Sequence, residues 1–467
     1  MNKKLLTVAI TLGLWSSSSW ALDLVQAYQR AQQSDPTWQA MRYEFEAEQQ
    51  NLGIAKSALM PTILLQGAIV RRHQDVEEAE PSAQPLPFEM DFVQPNTTTK
   101  QISLAIRQPL FRLDVWNGYQ QAKTAQRLSE VKLRARQQQH ILDVSESYFN
   151  VLRQQALIDT YQEEEKALQQ QLKTMTAKLK EGLVARSDVS EADAQYQNAH
   201  ANRIAAGIQL DVARERLTQL IGQYDGELAD IRDNFEYTPP YPNKVGDWLS
   251  LAETHNLNIQ QARFNVKVND QQRDIEKTGY YPQIDAVGVV GYNSQSPKTA
   301  ISSNGQFEQI GVEMNWQLFS GGRTQASLNK ATKQWQQSTA QLDAHVLKVR
   351  TDTKSAFHQV STDQAKLQAR KAAMTSSQMV ANASQASYNE GLRSMVDVLL
   401  AQRNAFATRQ EYVNAQYDYM INVLRLKAVT GMLRETDLAE MNAWLEPPKL
   451  AQVKSNQIKT NPPKATQ

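Results

Sequence analysis

The sequence predicts a mixed α and β fold, made mainly of long α-helices, with four short β-strands and an internal structural repeat. Three observations carry this reading. Glu181-Gly182-Leu183-Val184-Ala185-Arg186-Ser187-Asp188-Val189 is answered 209 residues later by Glu390-Gly391-Leu392-Arg393-Ser394-Met395-Val396-Asp397-Val398. Two long stretches, Arg112 to Lys180 and Ser320 to Glu390, contain no proline. Each is preceded by a pair of segments that can be read as strands, and an echo on this scale marks a duplicated unit.

Met1 to Ala21 reads as a secretory signal, with Lys3 and Lys4 at its start, apolar Leu5 to Leu14, and Ser19-Trp20-Ala21 as the cleavage site. The apolar part is far short of the ~20 residues needed to span a bilayer. Residues 22–222 then form a first strand-helix repeat, 223–243 a connector, 244–448 a second repeat and 449–467 a disordered polar tail. Asp23 to Val70 and Lys244 to Gly291 align without gaps, Ala31 meeting Ala252 and Pro61 meeting Pro282. Each is a polar helix ended by its proline, because the residue before proline disfavours the helical region.

Strands follow at Thr62 to Arg72, Gln101 to Pro109, Gln283 to Asn293 and Gln309 to Leu318. Ile102, Leu104 and Ile106 alternate with Ser103, Ala105 and Arg107; Ile310, Val312, Met314 and Trp316 alternate with Gly311, Glu313, Asn315 and Gln317. Such alternation over ~9–11 residues suits an outer-membrane barrel strand and equally a half-buried strand in water. The loop between the first two strands is acidic, with Asp75, Glu77, Glu78, Glu80, Glu89 and Asp91. Arg112 to Lys180 would be a helix roughly 100 Å long. Its apolar residues recur at threes and fours (Ile141, Val144, Tyr148, Val151), as in helix packed on helix. Ser187 to Gly222, Val245 to Tyr281 and Leu22 to Met60 are each about half that length, so pairs of them stacked end to end would match one long helix. The connector, with Tyr237-Thr238-Pro239-Pro240-Tyr241-Pro242, reads as irregular.

Composition excludes several functions. Removing the signal takes the formal charge from +1 to −1, which gives no field for nucleic acid. The absence of cysteine excludes disulfides, thiolate metal sites and a lipid-modified N-terminal cysteine. The six histidines lack metal-ligand spacing, Ser320-Gly321-Gly322-Arg323 lacks the spacing of a phosphate loop, and no nucleophile, base and orienter set is present. The expectation is no enzyme, no cofactor and no metal. With no apolar helix long enough to span a bilayer, membrane insertion would require a closed barrel. Four strands are too few for one, since the smallest bacterial barrels have eight. A dimer would supply eight and a trimer twelve, and an eight-stranded barrel is filled by its own side chains, so a pore favours the trimer.

At Ser147-Tyr148-Phe149-Asn150-Val151-Leu152, Gly182-Leu183-Val184-Ala185, Val396-Asp397-Val398-Leu399 and Tyr417-Asp418-Tyr419-Met420-Ile421-Asn422 the chain resembles the TolC family of trimeric outer-membrane channel-tunnel proteins. The resemblance covers essentially the whole mature sequence. It implies a shared twelve-stranded trimeric outer-membrane β-barrel continued by a periplasmic α-helical barrel. It also implies a Gram-negative outer-membrane location extending into the periplasm, and partners: a periplasmic adaptor, an inner-membrane ABC exporter or proton-driven pump, and outer-membrane lipid. Family positions that latch the periplasmic end fall on Asp188, Tyr388 and Arg393. Such groups can pair in charge-assisted bonds, and an exposed pair is worth only ~0.2–1 kcal/mol, weak enough for an adaptor to undo. Asp397 matches an acidic ring at the family's constriction; a second acidic ring falls on Leu400, and Arg186 replaces an apolar residue, so cation selectivity is not implied. Capping or solvation of helix ends is the alternative for these charges. Trp316, Trp116 and Phe111 are candidates for an interfacial aromatic girdle or for junction packing.

The expected function is an outer-membrane exit duct that exports proteins by type I secretion, small toxic molecules, or both. The alternatives are a duct for drug efflux only, and a non-conducting periplasmic coiled-coil scaffold or adaptor.

Overall fold

The computed structural model describes residues 21–73, 96–224, 226–232, 237, 239–296 and 304–446. The expected signal up to residue 20, the acidic loop at 74–95, residues 297–303 of the second strand-joining loop, residues 225, 233–236 and 238 of the connector, and the polar tail lie outside them. In chain order the elements are α1 (Leu24–Ser34), α2 (Pro36–Ser57), β1 (Thr62–His73), β2 (Asn96–Phe111), α3 (Leu113–Lys180), α4 (Arg186–Ile221), β3 (Asp230–Ile231), α5 (Val245–His255), α6 (Leu257–Lys277), β4 (Gln283–Ser296), β5 (Gly305–Asn315), α7 (Arg323–Asn389), α8 (Met395–Val429), α9 (Glu435–Asn442) and β6 (Leu445–Glu446). The fold is mainly helical with a small sheet. Two compact units divide the chain, one of Met1–Met41, Ala135–Asn256 and Lys348–Gln467, the other of Arg42–Arg134 and Leu257–Leu347.

The second of these units holds an antiparallel sheet in the order β1-β2-β4-β5. Its two hairpins follow the sequence reading; the β2–β4 pairing that joins them was not part of it, and β2, β4 and β5 reach further toward the hairpin loops than expected. β5 ends at Asn315, short of the expected Leu318, because Asn315 pairs with Gln283 at the start of β4. The next partner would be Pro282, which has no N–H to offer. The register puts Ile63, Ile106, Gly288 and Ile310 in one row, and Leu65, Leu104, Val290 and Glu308 in the neighbouring row of the same face. That face is exposed, Ile310 to 92%. The opposite face mixes small and polar residues, and the buried strand residues Ser103, Asp285 and Val287 all lie on it. There the ring of Phe307 covers Gly291 so closely that a Cβ on the glycine would lie 2.6 Å from it. Helices continue the strands. Gln121 of α3 donates to Val268 O and Gln272 Oε1 of α6, both at 3.0 Å, Gln126 of α3 bonds Gln49 of α2, and Arg273 of α6 lies 5.1 Å from the ring centre of Trp335 on α7.

The other unit is a helical core. Tyr148, Phe149, Leu217, Tyr419, Met420 and Leu424 are all almost fully buried in it. Charged contacts lace α3 to α8, through Arg153–Asp418 at 2.9 Å, Arg425–Glu146 at 2.7 Å and Arg409–Glu163. The stretch Leu22 to Met60, read as one helix, is broken at Asp35. Pro36 follows, and Asp35 takes ψ 110° and accepts from Thr37 N at 2.8 Å. Val245 to Tyr281 is likewise broken at Asn256, which no proline follows; there the side-chain amide donates to Val429 O at 2.6 Å. The connector is not wholly irregular either. β3 pairs with β6, and the Tyr148 hydroxyl lies 2.8 Å from Ala229 O and 2.9 Å from Leu22 O, tying connector, N-terminus and α3 together. Nearby, Trp38 stacks on His140, whose Nε2 is 3.1 Å from Asp35 Oδ2; burial outweighs that carboxylate and lowers the imidazole pKa.

Candidate functional site

The two Glu-Gly-Leu motifs form the turns α3–α4 and α7–α8. Both helices end in the same way. Gly182 (φ 72°) donates to Leu179 O and Leu183 N to Lys178 O; Gly391 (φ 73°) donates to Tyr388 O and Leu392 N to Ser387 O. This pair of hydrogen bonds satisfies the last helical carbonyls and requires a left-handed residue, hence glycine. The leucine after the glycine normally packs back on its helix, yet Leu183 is 67% exposed and Leu392 79%. Beneath the turns Leu168, Met175, Ala192, Met395, Val398 and Leu399 form a local apolar core, with Val184, Val189 and Tyr388 at its margin.

The candidate latch residues have partners within the chain. Asp188 sits in the first turn of α4 and its Oδ2 accepts from Ala185 N at 3.2 Å, the capping arrangement weighed for it above. The ammonium of Lys178 lies 4.7 Å from the ring centre of Tyr388 and 3.5 Å from its hydroxyl, which contacts Met175 Sδ at 3.7 Å. Arg393 is exposed and donates to the buried Ser384 Oγ at 2.6 Å. Among the described residues, then, no hydrogen bond joins Asp188, Tyr388 and Arg393 to one another. Lys178 and Ser384 were not legible in the sequence: Lys178 lies 210 residues from Tyr388, and Ser384, nine residues before Arg393, meets it only through the way the turn folds back on α7.

Asp397 completes a capping box with Ser394. Asp397 N donates to Ser394 Oγ at 3.2 Å, and Asp397 Oδ2 accepts from Ser394 N at 3.1 Å and Ser394 Oγ at 2.7 Å. The Ser394 side chain, then its backbone N–H, then Arg393 hold this carboxyl below the ordinary value of 3.8. Stability from the cap is therefore present above that value and lost as pH falls through the lower folded one. Segment 391–398 should lose hydrogen-exchange protection relative to the rest of α8 below about pH 4, and Asp397→Asn should remove that dependence. Protection independent of pH would show that the box contributes nothing. Leu400, one turn on, is exposed, as is Arg186 at the start of α4. Trp116, Trp316 and Phe111 are exposed in the chain, and Trp316 donates to Tyr280 O at 3.2 Å.

Comparison with known proteins places this arrangement. The family model for outer membrane efflux proteins matches residues 27–223 and 248–432. The chain is 30% identical to the outer membrane protein TolC of Escherichia coli over 96% of its own length and 90% of that protein. It is 25% identical to the alkaline protease secretion protein AprF of Pseudomonas aeruginosa over 91% of its length and 88% of that protein. The solved CmeC outer membrane channel of Campylobacter jejuni shares the fold at a TM-score of 0.76 and 15% identity, over 95% of this chain and 94% of that one.

Proposed function

The chain belongs to the outer membrane efflux protein family, and on that premise we propose that it is one protomer of a trimeric exit duct, built on an internal repeat. It is a Gram-negative outer-membrane channel protein that extends into the periplasm. The observation that supports the trimer best is the sheet. One face is mainly apolar and exposed, its charges being Arg71, Lys100 and Glu308 among the described residues, the other is mixed polar and holds the buried strand residues, and β1 and β5 are its edges. In lipid such edges must be closed. Three copies, with β5 of each meeting β1 of the next, form a ring of twelve strands by a cyclic head-to-tail contact. The helices leaving the strands would continue as a periplasmic α-helical barrel.

In this reading α3 and α7 carry the chain from the sheet to the two turns, which form the periplasmic end. Asp188, Tyr388 and Arg393 hold that end closed across neighbouring chains, while Asp397 and Leu400 line the constriction. To do so, Arg393 exchanges its bond to the buried Ser384 hydroxyl, and Tyr388 its contact with Lys178, for partners on the neighbouring chain. The exposed Leu183 and Leu392 offer an apolar rim to a periplasmic adaptor, which links the duct to an inner-membrane ABC exporter or proton-driven pump. Arg393→Ser and Tyr388→Phe should each raise single-channel conductance; unchanged conductance in both folded variants would remove these residues from the latch.

The cargo is protein, small toxic molecules, or both. AprF is named for protease secretion, which supports the first, and the family description supports efflux. Expression in a cell lacking its own duct, beside an ABC exporter with its adaptor or beside a proton-driven pump with its adaptor, separates them. Restored protein secretion or dye extrusion is the expected result; restoration of neither would contradict the duct.

A further inference from the structure

On the mixed face of the sheet, at the end from which the helices leave, charges from three strands meet. Arg107 of β2 donates from Nη1 to Asp285 Oδ2 of β4 at 2.9 Å and from Nη2 to Glu313 Oε2 of β5 at 2.8 Å. Asp285 and Glu313 are directly paired across the strands, so two carboxylates lie side by side with one guanidinium between them. Like charges so placed repel, and Arg107 is what makes the pair tolerable. Arg112 also approaches Asp285 Oδ2, at 3.7 Å, but its charge is matched by a two-pronged bond to Asp114 at 3.0 and 2.8 Å. The other charged side chain on this face, among the described residues, is Arg72 at the far end of β1.

Two features give the cluster a use beyond holding strands together. The sum over Arg107, Asp285 and Glu313 is negative. Asp285, only 8% exposed, keeps an oxygen, Oδ1, with no hydrogen-bond partner, so part of that charge is not spent on the protein. Arg107 and Glu313 are themselves about half exposed, on the face opposite the apolar one.

We propose that Arg107, Asp285 and Glu313 form an acidic collar inside the barrel mouth that makes the duct prefer small inorganic cations over anions, with Arg107 setting how strong that preference is. The inference rests on the trimeric duct proposed above, which turns this face to the lumen and repeats the cluster three times. Rings of Asp or Glu side chains favour cations. The collar supplies an acidic element where Leu400 leaves the constriction with one acidic position fewer than the family pattern.

Planar-bilayer recording in a KCl gradient tests it. Arg107→Gln uncovers both carboxylates and should raise the cation-to-anion permeability ratio by about twofold or more, while Glu313→Gln should lower it by a similar factor. Both changes should shrink in concentrated salt, where the screening length falls to about 3 Å. Should Arg107→Gln fail to assemble, Glu313→Gln, which keeps shape and removes charge, decides alone. Variants that conduct with an unchanged ratio overturn the collar and leave the duct standing. A protein that does not conduct even with Arg393→Ser and Tyr388→Phe combined overturns the duct, and the collar with it.

Discussion

Replacing Gly431 by alanine is expected to destabilise the folded protein strongly. The glycine ends α8 at φ 76°, donating to Ala428 O at 2.9 Å, while Met432 N reaches Lys427 O at 2.8 Å. An added Cβ would lie 2.6 Å from the carbonyl carbon of His255, closer still to its oxygen, and 2.9 Å from Asn256 Cα. These are backbone atoms at the break between α5 and α6, fixed there by the Asn256 bond to Val429 O. Neither side can yield cheaply, and left-handed strain with overpacking should cost at least ~3 kcal/mol. Gly391 is the internal control, with φ 73°, the same two hydrogen bonds closing its helix and nothing within 4 Å of an added Cβ. Gly391→Ala should lose about 1 kcal/mol, the strain term alone. Thermal midpoints of the detergent-extracted variants measure the difference; equal losses would mean that the contact with His255 is unimportant.

The second large effect is expected at Ile310, in the middle of β5. Ile310→Lys places a charge on the apolar face and should cost ~2–4 kcal/mol per chain if that face meets the bilayer midplane. Gln309→Lys puts the same charge one residue away on the opposite face and should be tolerated. The fraction of each variant recovered in the outer membrane reads this out. Were the sheet a water-facing surface, both substitutions would lie within about 0.5 kcal/mol of neutral.

That pair of predictions also shows what the sequence could reveal. The alternation through Ile310, Val312 and Met314 assigns faces correctly because the side-chain period of a strand is two. It says nothing of partners, and the β2–β4 pairing, between residues such as Ile106 and Gly288, is invisible locally. Helix breaks divide in the same way. Asp35 could have been read from Pro36, whereas Asn256 breaks its helix through a bond to Val429, far away in the chain. At the turns, the glycine of each motif is a local signal for a left-handed helix end, and Ser394 three residues before Asp397 one for a cap. Lys178 on Tyr388 and Ser384 under Arg393 depend on how α3, α7 and α8 pack, which periodicity limits but does not fix. The short β3–β6 pairing went unread because two-residue strands carry no period.

The central claim is that four strands from each chain close with those of two copies into a conducting barrel. Single-channel recording of the purified, detergent-extracted protein, on the same sample whose mass is measured, tests it most directly. The account predicts a trimer that inserts into a planar bilayer and conducts ions in discrete steps. A monomer or dimer, or a trimer that never conducts even with Arg393→Ser and Tyr388→Phe combined, would contradict it.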